Sequence, residues 1–153
     1  MDADTGEVRI TRWLDVFDVG KVVNPKTAAS QLRGGIVMGI GMALSEQTLI
    51  DPRNGRTMSA GLDSYYVPVQ ADIPPIDVPW LDEPDKTMPL GLVGLVEVGS
   101  TGAAAAVANA VFHATGKRSA TCPSPSTSSC DHLSTGREIH PRATKRRRQR
   151  LEV

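Results

Sequence analysis

From Glu7 to Trp13 polar and apolar residues interleave (Glu-Val-Arg-Ile-Thr-Arg-Trp), as they do in a strand with one face buried. The pattern predicts a strand that starts after the turn at Asp4-Thr5-Gly6 and continues through Leu14 to Val19. Asn24-Pro25 breaks it. From Lys26 to Ser45 the apolar positions Ala28, Leu32, Ile36, Ile40 and Leu44 then recur every fourth residue, which marks one face of a helix. Four glycines, Gly34, Gly35, Gly39 and Gly41, fall inside that helix. Each costs up to about 1 kcal/mol relative to alanine, so the helix is expected to recover the cost through close backbone packing rather than through ligand contact.

Beyond the helix the period changes. Asp51-Pro52-Arg53-Asn54-Gly55-Arg56 is a turn, and its Asn-Gly pair suits the positive φ angles of a hairpin joining two strands. Between Tyr65 and Pro89, prolines stand at positions 68, 74, 75, 79, 84 and 89. They exclude a long helix and predict extended segments and edge strands lying across a larger body. Small residues from Gly99 to Gly102 lead into an alanine-rich helix over Ala103 to Ala114, which Gly116 is placed to cap. Strands followed by a glycine-containing helix, irregular strands and a second helix give an α+β fold.

Composition alters this picture in one respect. Aromatics are only 4 % of the 153 residues, with 14 glycines and 11 prolines, so bulky core material is scarce and a self-sufficient core is not guaranteed. The net charge of zero conceals a split. Residues 1 to 118 hold ten Lys/Arg and fourteen Asp/Glu (−4), whereas residues 119 to 153 hold seven and three (+4). Both cysteines, Cys122 and Cys130, lie in the second part, at a spacing that fits neither a metal half-site nor a disulfide framework. No apolar run approaches the roughly eighteen residues that cross a bilayer, and the N-terminus lacks the pattern of an export signal. A soluble, cytoplasmic product with no membrane partner is the expectation.

The motifs carry more when taken in order. Phe17-Asp18-Val19-Gly20, Asn24-Pro25, Gln31-Leu32-Arg33-Gly34-Gly35 and Gly39-Ile40-Gly41-Met42-Ala43-Leu44 come first. Ala71-Asp72-Ile73-Pro74-Pro75, Glu97-Val98-Gly99 and Ala108-Asn109-Ala110-Val111-Phe112-His113-Ala114-Thr115-Gly116 follow. Together they resemble the last segment of the molybdenum-cofactor (large) subunit of the xanthine dehydrogenase and aldehyde oxidase family. Residues 1 to 118 would be the C-terminal part of its molybdopterin-binding domain. The resemblance implies a molybdenum hydroxylase that oxidises an aldehyde or N-heterocycle with water as oxygen source. It also implies partners in the remainder of the large subunit and in iron-sulfur and flavin subunits or domains.

Two residues match family functional positions. Glu97 matches the glutamate that acts as general base, and Gln31 matches a glutamine that contacts the molybdopterin. Glu97 lies between Leu95-Val96 and Val98, whose apolar side chains would disfavour a charged carboxylate if they enclosed it. Read from local sequence alone, the same residue is a strand glutamate facing water, and Gln31 is an ordinary helix-surface amide. The chain departs from the family at Val96, where relatives have glycine, which bears on where the carboxylate sits. His113 has no Cys, Asp or Glu at ligand spacing, and Asp82-Glu83-Pro84-Asp85 reads as a solvated turn, so no metal ligands are assigned.

After Arg118 the resemblance stops. One choice of synonymous codons for Ser119 to Cys130, preceded by a single G and regrouped, translates as Val-Arg-Asp-Leu-Pro-Ile-Thr-Leu-Asp-Lys-Leu-Leu, an ending of the family's kind. Residues 119 to 153 are therefore expected to be a disordered basic tail read in a displaced frame. Its run Lys145-Arg146-Arg147-Arg148-Gln149-Arg150 has no interleaved aromatics, which disfavours nucleic-acid binding although that remains a rival reading. The other rival is a non-catalytic remnant or interaction fragment, because one segment alone lacks the other walls of a cofactor site. Alone, the chain is expected to be inactive and not to retain the cofactor.

Overall fold

A computed structural model describes residues 7–95, 97–116 and 118, together with the backbone of 151–152. Strand β1 (Ile10–Leu14) buries Ile10 and Trp13, and the short β2 (Phe17–Asp18) follows it, so the single strand predicted to Val19 is divided at Asp15-Val16. Burial holds the Asp15 carboxyl above its usual pKa, and hydrogen bonding at Val16 and Trp13 offsets this only in part. The Trp13 indole N–H approaches that carboxylate without full hydrogen-bond geometry and is otherwise buried without a partner.

Helix α1 (Pro25–Leu44) starts where the sequence breaks. The Asn24 side chain accepts from the backbone N–H of Lys26 (3.1 Å) and Thr27 (3.2 Å), and Pro25 occupies the first helical position, where its missing donor costs nothing. Ala28, Leu32, Ile36, Ile40 and Ala43 form the buried face. Helix α2 (Ala103–Thr115) buries Ala103, Val107 and Val111 against it and ends at Gly116, whose left-handed backbone (φ 73°) lets its N–H donate to the Phe112 carbonyl.

The proline-rich stretch does more than lie across the body. Its short strands β3 (Ile76–Asp77) and β4 (Trp80–Leu81) pair in parallel with β1 and β2, in the registers Trp13–Ile76 and Phe17–Trp80. Trp13, Asp15 and Phe17 donate their N–H groups to Pro75, Asp77 and Pro79 at 3.0 to 3.1 Å, so these prolines serve as acceptors and their lack of a donor is not felt. The contact continues through Lys21 N–H to the Gly91 carbonyl (2.8 Å) and Val22 N–H to the Asp82 carboxylate (2.8 Å). Arg33 on α1 adds a bond from Nε to the Ile76 carbonyl (3.3 Å).

The turn at 51–56 joins a single antiparallel bridge, Ile50–Thr57, rather than two full strands. Its core is the buried Asp51 carboxylate, which accepts from Arg53 through the backbone N–H, Nε and Nη2 at 2.9 to 3.1 Å. The expected disordered tail lies outside the described residues over 119–150. At its end the structure differs from the expectation, because Leu151–Glu152 form a strand, β5, parallel to β1 on the edge opposite β3. No helix among the described residues is long and apolar enough to cross a membrane.

The helix glycines divide. A Cβ on Gly35 would lie 2.8 Å from the Gly99 Cα, one on Gly39 would strike Ala103 Cβ, and one on Gly41 would strike the Glu46 side chain. Gly34 has no neighbouring atom within 4 Å of that position. Gly99→Ala should therefore destabilise the chain by about 1 to 3 kcal/mol through overpacking, whereas Gly34→Ala should stabilise it by up to about 1 kcal/mol through helix propensity. Urea denaturation followed by circular dichroism checks both signs. Asp51 supplies a pH test, because the Arg53 hydrogen bonds lower its pKa. The turn's stabilisation is complete above the ordinary carboxylate value and is lost as pH falls through the lowered one, and Asp51→Asn should abolish this acid dependence in thermal denaturation.

Candidate functional site

Glu97 immediately precedes a 3-10 turn, Val98–Ser100, that rests on α1. The resting point is backbone on backbone. A side chain at Gly99 would collide with the Leu32 carbonyl, and one at Gly35 would meet Gly99 and Ser100, so only glycine at both positions lets the turn approach this closely. The turn is tied down by Ser100, whose N–H (3.1 Å) and Oγ–H (2.8 Å) both donate to the Glu97 carbonyl. Glu97 thus has its backbone fixed two residues from the contact.

Gln31 is set by the same contact from the other side. It lies one residue before Leu32 and one helical turn before Gly35, and its amide is exposed. The structure therefore brings the two predicted residues to the borders of one packing contact, although they are far apart in sequence. The expected apolar enclosure of Glu97 is not present. Leu95 and Val98 pack against the hydrophobic core instead, leaving Glu97 exposed, and Val96 lies outside the described residues. Side chains claimed by the core cannot also desolvate the carboxylate.

The sequence alone did not single out Gly99 and Ser100 as the residues that position Glu97. The signal was present in the glycines at Gly35 and Gly39, which require a partner that comes unusually close. The other candidates have local roles. Asp82 accepts from Val22 N–H, Asp85 accepts from Thr87 N–H and Oγ–H, and His113 is exposed in the last turn of α2, where a cation suits the helix dipole. Among the described residues no cluster of His, Cys, Asp or Glu could hold a metal ion.

Comparison with known proteins agrees with this arrangement. Residues 1–74 match the model of the molybdopterin cofactor-binding domain. The chain is 46 % identical over 115 residues to the aldehyde oxidoreductase molybdenum-binding subunit PaoC of Escherichia coli, covering 74 % of this chain and 16 % of that protein. This chain belongs to the molybdopterin cofactor-binding family. It is also 36 % identical to the nicotine 6-hydroxylase large subunit of Paenarthrobacter nicotinovorans, over 72 % of this chain and 14 % of that subunit. Among solved structures, quinoline 2-oxidoreductase from Pseudomonas putida superposes with a TM-score of 0.74 at 32 % identity, over 80 % of this chain and 16 % of the other. The aldehyde oxidoreductase of Desulfovibrio desulfuricans gives 0.64 at 31 %, over 75 % and 12 %. These matches bear out the α+β fold and the family resemblance, and the chain spans only 16 % of the length of PaoC.

The surface around Gln31 suits a pterin cofactor as one wall of its site. The exposed amide can donate and accept at once, and at Gly34, three residues on along the helix, the backbone is open to close approach by a flat ring or a phosphate. Met38 and Met42, exposed at 63 % and 44 %, continue the same helix face as soft apolar surface. One wall is not a pocket, since cofactor sites enclose most of their ligand. Ser100→Ala should remove both the hydroxyl bond and part of the restraint on Glu97, lowering the backbone order parameter at Glu97 and Val98 while leaving Leu32 and Ile36 rigid in a 15N relaxation measurement.

Proposed function

We propose that this segment forms part of a molybdenum hydroxylase large subunit that oxidises an aldehyde or N-heterocycle with water as oxygen source. The observation that carries the reading is the glycine contact that seats the Glu97 turn on the helical turn bearing Gln31. The family membership and the likeness to aldehyde oxidoreductases support it. When bound, the molybdenum cofactor supplies the two-electron redox chemistry. Gln31 holds and orients it by hydrogen bonding through its amide, with Gly34 leaving room for the approach.

Glu97 is the general base: its carboxylate takes a proton from the attacking oxygen, and the Ser100 bonds keep its backbone at a fixed height above α1. Its exposure here fits a residue whose surrounding walls come from elsewhere in a longer subunit, and closure of those walls would supply the desolvation that Leu95 and Val98 do not. The full assembly would include iron-sulfur and flavin subunits or domains to carry electrons away, in the cytoplasm. The tail from Ser119 is read as displaced-frame coding sequence, in keeping with a likeness to PaoC that extends over 115 residues.

A second reading, an interaction fragment without catalysis of its own, draws on the many apolar side chains at the surface, among them Val23 (75 %), Leu62 (87 %) and Leu90 (83 %). The two readings differ in what the chain needs. Expressed alone, it should contain no stoichiometric molybdenum by mass spectrometry of the purified protein, because one wall makes too few contacts to hold the cofactor. Exchanged into a complete related subunit, it should support turnover that falls about a hundredfold to ten-thousandfold in Glu97→Gln, with cofactor content unchanged. Unchanged turnover in that variant would refute the role of Glu97, and a folded, cofactor-loaded chimera without turnover would favour the non-catalytic reading.

A further inference from the structure

Strand β1 has two edges, and they are filled very differently. On one, β3 pairs in continuous register, and the N–H groups of Trp13 and Asp15 donate to Pro75 and Asp77. Because N–H directions alternate along a strand, those of Arg12 and Leu14 face the other edge. There the partner is β5, only two residues long, and its register shifts between Ile10–Leu151 and Arg12–Glu152. The chain returns from far along the sequence to reach this edge. Helix α2 also contacts β5, so the strand is placed against the body and not merely beside β1.

An edge that offers unpaired backbone donors and acceptors next to a buried apolar face is a template for any extended segment. Ile10 and Trp13, 5 % and 1 % exposed, supply such a face, and β1 is held rigid from behind by β3. We propose that the outer edge of β1 is a strand-acceptor surface that takes an extended segment in parallel, and that this chain caps it in cis with Leu151–Glu152. Main-chain pairing reads the backbone and not the side chains, so the capping segment requires no particular sequence. The irregular register marks β5 as a strand that occupies the edge without matching its full length.

Amide hydrogen exchange on the full chain tests this through Arg12, whose N–H faces β5, with Trp13, whose N–H faces β3, as the internal control for folding. In Leu151→Pro/Glu152→Pro, which removes the donors of the capping strand, exchange at Arg12 should quicken about tenfold or more while Trp13 stays protected. In Leu151→Ala/Glu152→Ala, which keeps the backbone, Arg12 should remain protected. A chain ending at Arg150 gives an independent variant, in which adding a Leu-Glu-Val-containing peptide in trans should restore protection at Arg12. The proposal is overturned if Arg12 stays protected in the proline variant at dilution. It is equally overturned if the alanine variant exposes Arg12 as fully as the proline variant does, because the strand would then be held by side chains and the edge would not be an acceptor.

Discussion

The approach of the 3-10 turn at Val98–Ser100 to helix α1 is the constraint on which the rest depends. It is made by backbone atoms, with Gly99 over the Leu32 carbonyl and Gly35 beneath Gly99, and a single methyl group on either would separate them. Because the interface has no side chains to adjust, it has little freedom to relax, and it fixes how the two halves of the chain meet. Helix α2 inherits its position from the same contact. Gly39 accommodates Ala103, the first residue of α2, and Val107 and Val111 then join Leu32, Ile36 and Ile40 in one core. The helix-propensity cost of the α1 glycines is the cost of this geometry.

The strand layer sets the other side. Residues 10–22 run alongside residues 75–92 through a succession of backbone bonds that passes from β3 to β4 and on to Gly91. Arg33 ties α1 to the same layer at Ile76, so the helix that carries Gln31 is held both by the sheet and by the Glu97 turn. Candidate chemistry therefore sits where three remote stretches of sequence converge, around residues 31, 76 and 97. Its exposure shows what the segment provides, which is a rigid ledge, and what it does not, which is enclosure.

Much of this was legible in the sequence where a local rule decides it. The fourth-residue recurrence from Ala28 onward, the Asn24-Pro25 start and the Gly116 stop predicted both helices to within a residue or so, because capping and periodicity are local. The glycines of α1 predicted close packing, and three of the four meet it, while Gly34 stays open. Parallel pairing of β1 with residues 76–77 was hidden, since strands of two residues leave no period to detect and the pairing is non-local. The apolar neighbours of Glu97 were misleading for a related reason. Sequence shows that Leu95 and Val98 flank the carboxylate but not that the core claims them. Family motifs, by contrast, located Gln31 and Glu97 without saying that Gly99 and Ser100 would hold the latter in place.

A double-mutant cycle on Gly35 and Gly99 measures the central claim directly. If one backbone contact sets the position of the Glu97 turn, either alanine alone forces the turn away from α1, and the second then adds little. The folding free energies of Gly35→Ala, Gly99→Ala and the double variant should be strongly non-additive, with a coupling of about 1 kcal/mol or more. Additivity within about 0.5 kcal/mol would mean that the two glycines act independently, and that the contact does not hold the candidate site together.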